Sequence, residues 1–249
     1  MGIVKLVRVA LPGVAACTIG AVYGGDAGEL SCDSVAQCGS LGAAAYKKGD
    51  YVTAQAYFEQ QVVQYEQNGR ASCKRTDCPE SAVPYNNLAL ATLKAGLPLK
   101  ARAWLEVAPE AAATRHNKDL VERALKDWKW PDTPAGEYWQ YAGYGTWSTV
   151  TVTRDGEKWS IHYDGYRFPP TGLEAGPNIG EFDTDMPLAE RKATYSDGNG
   201  QGCKVSIVFS SDHVTLDEDD SKGDCGFGYN VRASGDFVRV SAVSLAAAK

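Results

Sequence analysis

WSTVTVTRDGEKWSIHY, residues 147–163, settles the character of the second half of the chain. Two runs of alternating, β-prone residues flank Asp155-Gly156. An Asp-Gly pair suits the mirror-image turns whose twist matches paired strands, so the stretch is expected to be a β-hairpin. Further strands are expected at 137–142, 188–195, 203–210, 213–216 and 235–240, with Ser211-Asp212 as one turn and Asp197-Gly-Asn-Gly-Gln-Gly as another. No helix-period segment interrupts them, which predicts an antiparallel β-sandwich or small β-barrel.

Upstream the composition changes. Residues from about 36 to 130 are rich in Ala, Leu, Gln, Glu and Lys, and KWPDTPAGE with its two prolines follows. The expected organisation is therefore α+β in two domains: helical from 28 to 130, a linker at 131–136, a β-domain at 137–242 and a tail at 243–249.

In LGAAAYKKGDYVTAQAYFEQQVVQY, residues 41–65, Leu41, Ala45 and Tyr46 share one helical face and Ala54, Tyr57, Phe58, Gln61 and Val62 another. Gly49-Asp50 separates them, because glycine takes the left-handed conformation that ends a helix. Leu41-Gly42, Tyr46, Gly49-Asp50-Tyr51, Ala54 and Phe58 resemble the sequence pattern of a tetratricopeptide repeat, with Gln61 where that family has a small residue. Leu88-Ala89, Leu93, Gly96, Ala101, Leu105 and Ala108 hold the same offsets, with Pro98 in place of an aromatic. Gly49 and Gly96 are 47 residues apart, against a family period of about 34. The surplus lies around NGRASCKRTDCPES, and a last helix from Asn117 to Trp128 is expected to cap the stack. A generic helical hairpin bundle is the alternative.

The N-terminus reads as an export signal. Lys5 and Arg8 precede an apolar, small-residue stretch, and cleavage is expected after Ala27. Val14-Ala15-Ala16-Cys17 has the form of a bacterial lipobox, so a lipid anchor on Cys17 is the alternative to soluble export. No run reaches the roughly 18 apolar residues of a membrane-spanning helix. Setting Cys17 aside, the other six cysteines fall into neighbouring pairs, giving Cys32–Cys38, Cys73–Cys78 and Cys203–Cys225 as the expected disulfides. Zinc is the weaker reading, since the spacings are not C-x-x-C and no histidine is near. Disulfides imply an oxidising compartment such as a periplasm. The net charge of −6 argues against nucleic acid and anionic lipid and suits a basic protein partner.

No motif carries catalytic chemistry. His116, His162 and His213 are unconnected in sequence, G-x-S-x-G and H-E-x-x-H are absent, and GDCGFGYNV reads as a close-packed β-turn. The chain is expected to be no enzyme and to need no cofactor or metal. Asp217, Asp219 and Asp224 invite a calcium loop, but the EF-hand spacing and its terminal Glu are missing, which favours a solvated acidic loop. The loop from Phe168 to Gly180 is stiffened by three prolines. Rigid loops lose little entropy on binding. Pro169, Pro170, Leu173 and Asn178, with Asp217, Asp219 and Asp220, are the candidate partner-binding loop residues.

Gly136-Glu137-Tyr138, Cys203, Cys225 and the ending CGFGYNVRASGDF, residues 225–237, resemble the small periplasmic domains with which bacteria inhibit lysozymes. That resemblance implies an exported inhibitor or immunity protein whose partner is a basic hydrolase or toxin, and no inhibitory residue is carried over from it. The alternative is a cell-envelope scaffold, with the repeats docking a complex and the β-domain touching glycan.

Overall fold

Asp155-Gly156 does turn the chain. Gly156 takes φ +56°. Strand β2 (Thr146–Asp155) pairs with β3 (Lys158–Arg167), setting Val150 against Tyr163 and Val152 against Ile161. These coordinates are a computed structural model, which describes residues 30–69, 82–197, 202–219, 221 and 225–242. The expected export segment with Cys17, the Cys73–Cys78 pair, Asp220, Asp224 and the tail all lie outside the described residues.

The remaining strands are β1 (Gly136–Gly143), β4 (Asn178–Pro187), β5 (Lys192–Ser196), β6 (Lys204–Phe209), β7 (His213–Glu218) and β8 (Gly235–Ser241). Their order is β4-β3-β2-β1-β8-β7-β6-β5, antiparallel throughout. This is a meander whose first and last strands pair. Only the β4–β5 seam has no ladder, and there Phe182 stacks on Tyr195 at 4.3 Å and Thr184 Oγ1 donates to the Thr194 carbonyl at 3.3 Å. The sheet is thus a nearly closed barrel rather than a sandwich. Eight strands enclose a space that side chains alone can fill. Tyr138, Val150, Ile161, Tyr163, Ile207, Leu216 and Phe237, each at most 2% exposed, fill it from alternate positions.

Two sequence expectations need correction here. The stretch 188–195 is not one strand: Glu190 N–H closes a turn on the Pro187 carbonyl, and β5 starts at Lys192. The stiff loop is shorter than expected, because Asn178 already pairs with Arg167 as the first residue of β4. That strand escaped notice because its outward residues are Glu181, Asp183 and Asp185, types disfavoured in strands. Its inward residues, Gly180, Phe182 and Met186, keep the alternation.

The helices are α1 (Val35–Lys47), α2 (Tyr51–Gln64), α3 (Val83–Lys94), α4 (Pro98–Leu105) and α5 (Ala112–Leu125), with a π-helical turn at Tyr65–Gly69. α5 starts five residues before the expected Asn117 and stops short of Trp128, which is 39% exposed and edges onto Trp130. Gly49 (φ +80°) and Gly96 (φ +84°) end α1 and α3. The Asp50 carboxylate accepts the Thr53 N–H at 3.1 Å and caps α2. Phe58 lies against Gly42, where an added Cβ would sit 2.5 Å from its ring. Gln61 fits within the stack. It is 5% exposed, lies against Gly39, donates to the Val35 carbonyl and accepts from Asn87.

Helices and strands belong to one compact unit, Ser31–Lys249. Among the described residues it has two hydrophobic cores, one in the barrel and one among the helices, and Tyr141 and Trp147 from the outer face of the barrel pack into the helical one. Trp104 of α4 meets Trp147 at 4.7 Å and Tyr141 at 5.7 Å, and Tyr85 of α3 meets Tyr141 at 5.9 Å. Arg102 reaches the barrel beside them. Its guanidinium donates to the Asp212 carboxylate at 3.1 Å and to the Asp212 carbonyl at 2.9 Å. Glu66, 3% exposed, accepts from the Tyr85 hydroxyl and from the Tyr144 N–H at the β1–β2 turn.

The expected linker is held from both sides. Arg239 on β8 is 0% exposed and donates to the carbonyls of Thr133, Ala135 and Ser211 at 2.6, 2.9 and 2.8 Å. Tyr138 Oη donates to the Pro134 carbonyl at 2.8 Å.

Candidate functional site

Strand alternation divides β3 and β4 between core and solvent. Trp159, Ile161 and Tyr163 point inward. Outward, the pairs are Tyr166 with Ile179, Asp164 with Glu181, His162 with Asp183, and Ser160 with Asp185. The result is an outer face carrying four carboxylates in two adjacent rows. Asp164 and Glu181 are direct cross-strand partners, an arrangement that costs stability because like charges repel.

His162 lies inside this face. Its Nε2 is 3.1 Å from Asp164 and its Nδ1 2.9 Å from Asp183. Burial disfavours its charged form, but the hydrogen bond to Asp183 and the charges of Asp164 and Asp183 outweigh that and raise its pKa above the ordinary 6.5. It therefore pairs charge across the β3–β4 ladder. Lys158, at the far end of β3, pairs with Asp185 at 2.7 Å.

Ile179 is 53% exposed where β4 begins, beyond the carboxylates. The segment 225–231 fastens beside it. Cys225 is bonded to Cys203, and Phe227 packs on Gly180 and stacks with Phe182 inside the barrel. Gly228 N–H donates to the Ile179 carbonyl at 2.8 Å. Only glycine fits at 228, since a Cβ would lie 2.9 Å from that carbonyl oxygen. Val231 N–H closes the turn on the Gly228 carbonyl, and Asn230 is held at φ +57°. Tyr229, at the apex, is 78% exposed.

Of the candidate loop residues, Asn178 adjoins Ile179 at the start of β4 and lies against Gly228, while the other described ones lie on other segments. Leu173 is 40% exposed on a 3-10 turn, Gly172–Glu174, and Pro169 and Pro170 precede it. Asp217 and Asp219 border a shallow polar cavity of about 380 Å³ with Lys204, Ser206, Glu218 and Ser221. Asp219 accepts both the N–H and the hydroxyl of Ser221. Among the described residues no three His, Cys, Asp or Glu side chains are grouped to hold a metal ion. Of the repeat-motif residues, Gly42, Ala54, Phe58, Leu88, Ala101 and Leu105 are buried, and Tyr46 edges onto Tyr51 at 5.3 Å. They build the stack rather than a surface.

Cys32–Cys38 and Cys203–Cys225 are bridged, with Cα atoms 5.2 and 4.7 Å apart. His213 pairs with Asp212 beside Arg102, while His116 is exposed on α5. Sequence reasoning missed Ile179 and Tyr229. The Gly-x-Gly around Phe227 was the available signal, because glycines on both sides of an aromatic mark a backbone pressed against something.

The chain matches no family model, no curated protein and no solved structure. Among the described residues no helix is long and apolar enough to cross a membrane.

Proposed function

We propose that the chain is an exported binding protein that neutralises a basic, cell-wall-degrading hydrolase or toxin, with a tetratricopeptide-like helical part and a lysozyme-inhibitor-like barrel. The observation that carries this is the opposed Asp164–Glu181 pair with Asp183 and Asp185 beside it on the outer barrel face. Within the fold His162 pairs with Asp164 and Asp183 and Lys158 with Asp185, but among the described residues no cation pairs with Glu181, so this face keeps negative charge to offer a partner of opposite sign. The acidic chain as a whole, at −6, speeds the encounter with such a partner. The two disulfides fit an oxidising compartment such as the periplasm.

The test is direct. The purified, oxidised chain is titrated into a lysozyme acting on a cell-wall suspension, and dose-dependent loss of lysis is expected. Unchanged lysis across several basic muramidases would refute the inhibitor role. Co-purification from the periplasm with a multiprotein envelope complex, in place of a single hydrolase, would mark the chain as a scaffold.

A further inference from the structure

We infer, resting on the binding function above, that Tyr229 and Ile179 form the contact point at which the basic protein partner seats. A free, mobile tyrosine would lose much of its binding gain to ordering, whereas Tyr229 sits on a turn fixed before any partner arrives. The Cys203–Cys225 bridge holds one end of that turn, Phe227 anchors it in the barrel core and buried Val231 closes it. Gly228 is pressed on the backbone of Ile179, so Tyr229 emerges one residue from the point where the turn meets β4. Each anchor fixes backbone, and the Tyr229 ring itself stays 78% exposed.

Charge selects the occupant. Following β4 inward from Ile179, the next outward residues are Glu181, paired with Asp164, and Asp183. Across the ladder from Ile179 is Tyr166, half-buried on the same face. The surface thus has an aromatic and aliphatic end continuous with a carboxylate row. It fits a protein that presents an apolar side chain one strand-step from lysine or arginine. On this face His162 already pairs with Asp164 and Asp183 and Lys158 with Asp185, which leaves Glu181, one strand-step from Ile179, as the carboxylate without a cation among the described residues. Aromatic residues at the centre of an interface carry most of its energy, and charges at its rim set the rate of encounter.

The experiment measures binding of a basic lysozyme to the full oxidised chain by surface plasmon resonance, for wild type, Tyr229→Ala, Ile179→Ser and the pair Glu181→Gln/Asp183→Asn. Both apolar sites are exposed, so circular dichroism and melting temperature should be unchanged. Tyr229→Ala is expected to weaken binding about ten-fold or more, mainly through faster dissociation. The charge pair should slow association and flatten its salt dependence. If wild type binds and Tyr229→Ala binds equally well, the contact point is wrong and the binding function stands. If wild type binds no basic muramidase, the function falls and the contact point with it. A wild-type dimer in sedimentation that Tyr229→Ala dissolves would assign the surface to a second copy of the chain instead.

Discussion

Arg239→Met tests what joins the two cores. Arg239 is a fully buried cation with no carboxylate at its head; it donates to three backbone carbonyls and lies over the Tyr138 ring at 5.1 Å. Burial pulls its pKa below the ordinary arginine value, with Tyr138 acting the other way, while burial pushes the Tyr138 hydroxyl up to about 12. Methionine keeps much of the aliphatic stem and removes the charge. Three part-buried hydrogen bonds from a charged donor are then lost, at about 1.5–3 kcal/mol each. Against that stands the recovered cost of burying a guanidinium, about several kcal/mol. The acceptors outweigh the recovered term, because Thr133 and Ala135 flank Pro134 in a segment that has few other backbone partners, leaving a net loss of about 2–4 kcal/mol. For a domain of this size that is a drop in Tm of roughly 5–15 °C. Differential scanning fluorimetry of the full oxidised chain measures it, and hydrogen exchange at Thr133, Ala135 and Gly136 locates it. Arg239→Lys should lose at least as much, since an ammonium keeps the buried charge and cannot span three carbonyls. A methionine variant as stable as wild type, with unchanged exchange in that segment, would refute the reasoning.

Trp104→Ala empties the junction with Tyr141 and Trp147 and should cost about 3–5 kcal/mol in urea denaturation, with loss of the near-ultraviolet circular dichroism of that cluster. Because the His162 pKa is raised in the folded state, its pairing stabilises fully below the unfolded value near 6.5 and is lost as pH rises through the folded value. His162→Gln should abolish that slope between neutral and mildly alkaline pH, as read by chemical denaturation. Asp212 behaves oppositely: burial opposes its charge, but the His213 hydrogen bond and the Arg102 charge hold its pKa below 3.8, so its stabilisation fades as pH falls through that range. Asp212→Asn should therefore reduce stability at pH 7 and leave it near wild type in acid. Replacing Cys203 and Cys225 by serine opens a closure of 22 residues and should cost about 3 kcal/mol, while freeing the Tyr229 turn to exchange its amides.

Local pattern was legible wherever the signal was short in range. The Asp155-Gly156 hairpin, the helix ends at Gly49 and Gly96, and the pairs Cys32–Cys38 and Cys203–Cys225 depend on neighbours in sequence. Strand β4 was not expected: its inward Phe182 and Met186 alternate correctly, but its outward carboxylates argued against a strand. The Gln61 position could not be judged from sequence, because the room for it is supplied by Gly39 on another helix.

The sequence alone determined that helices come first, that antiparallel strands follow, and that the chain is acidic, since periodicity, turn chemistry and charge are properties of adjacent residues. Only the tertiary structure decided that the sheet curls into a barrel, that Arg102, Glu66 and Arg239 fasten it to the helices and linker, and that the turn carrying Tyr229 is bonded through Gly228 to the backbone of Ile179. These depend on register and on contacts between segments tens of residues apart, where a shift of one residue in any strand would turn every inward side chain outward.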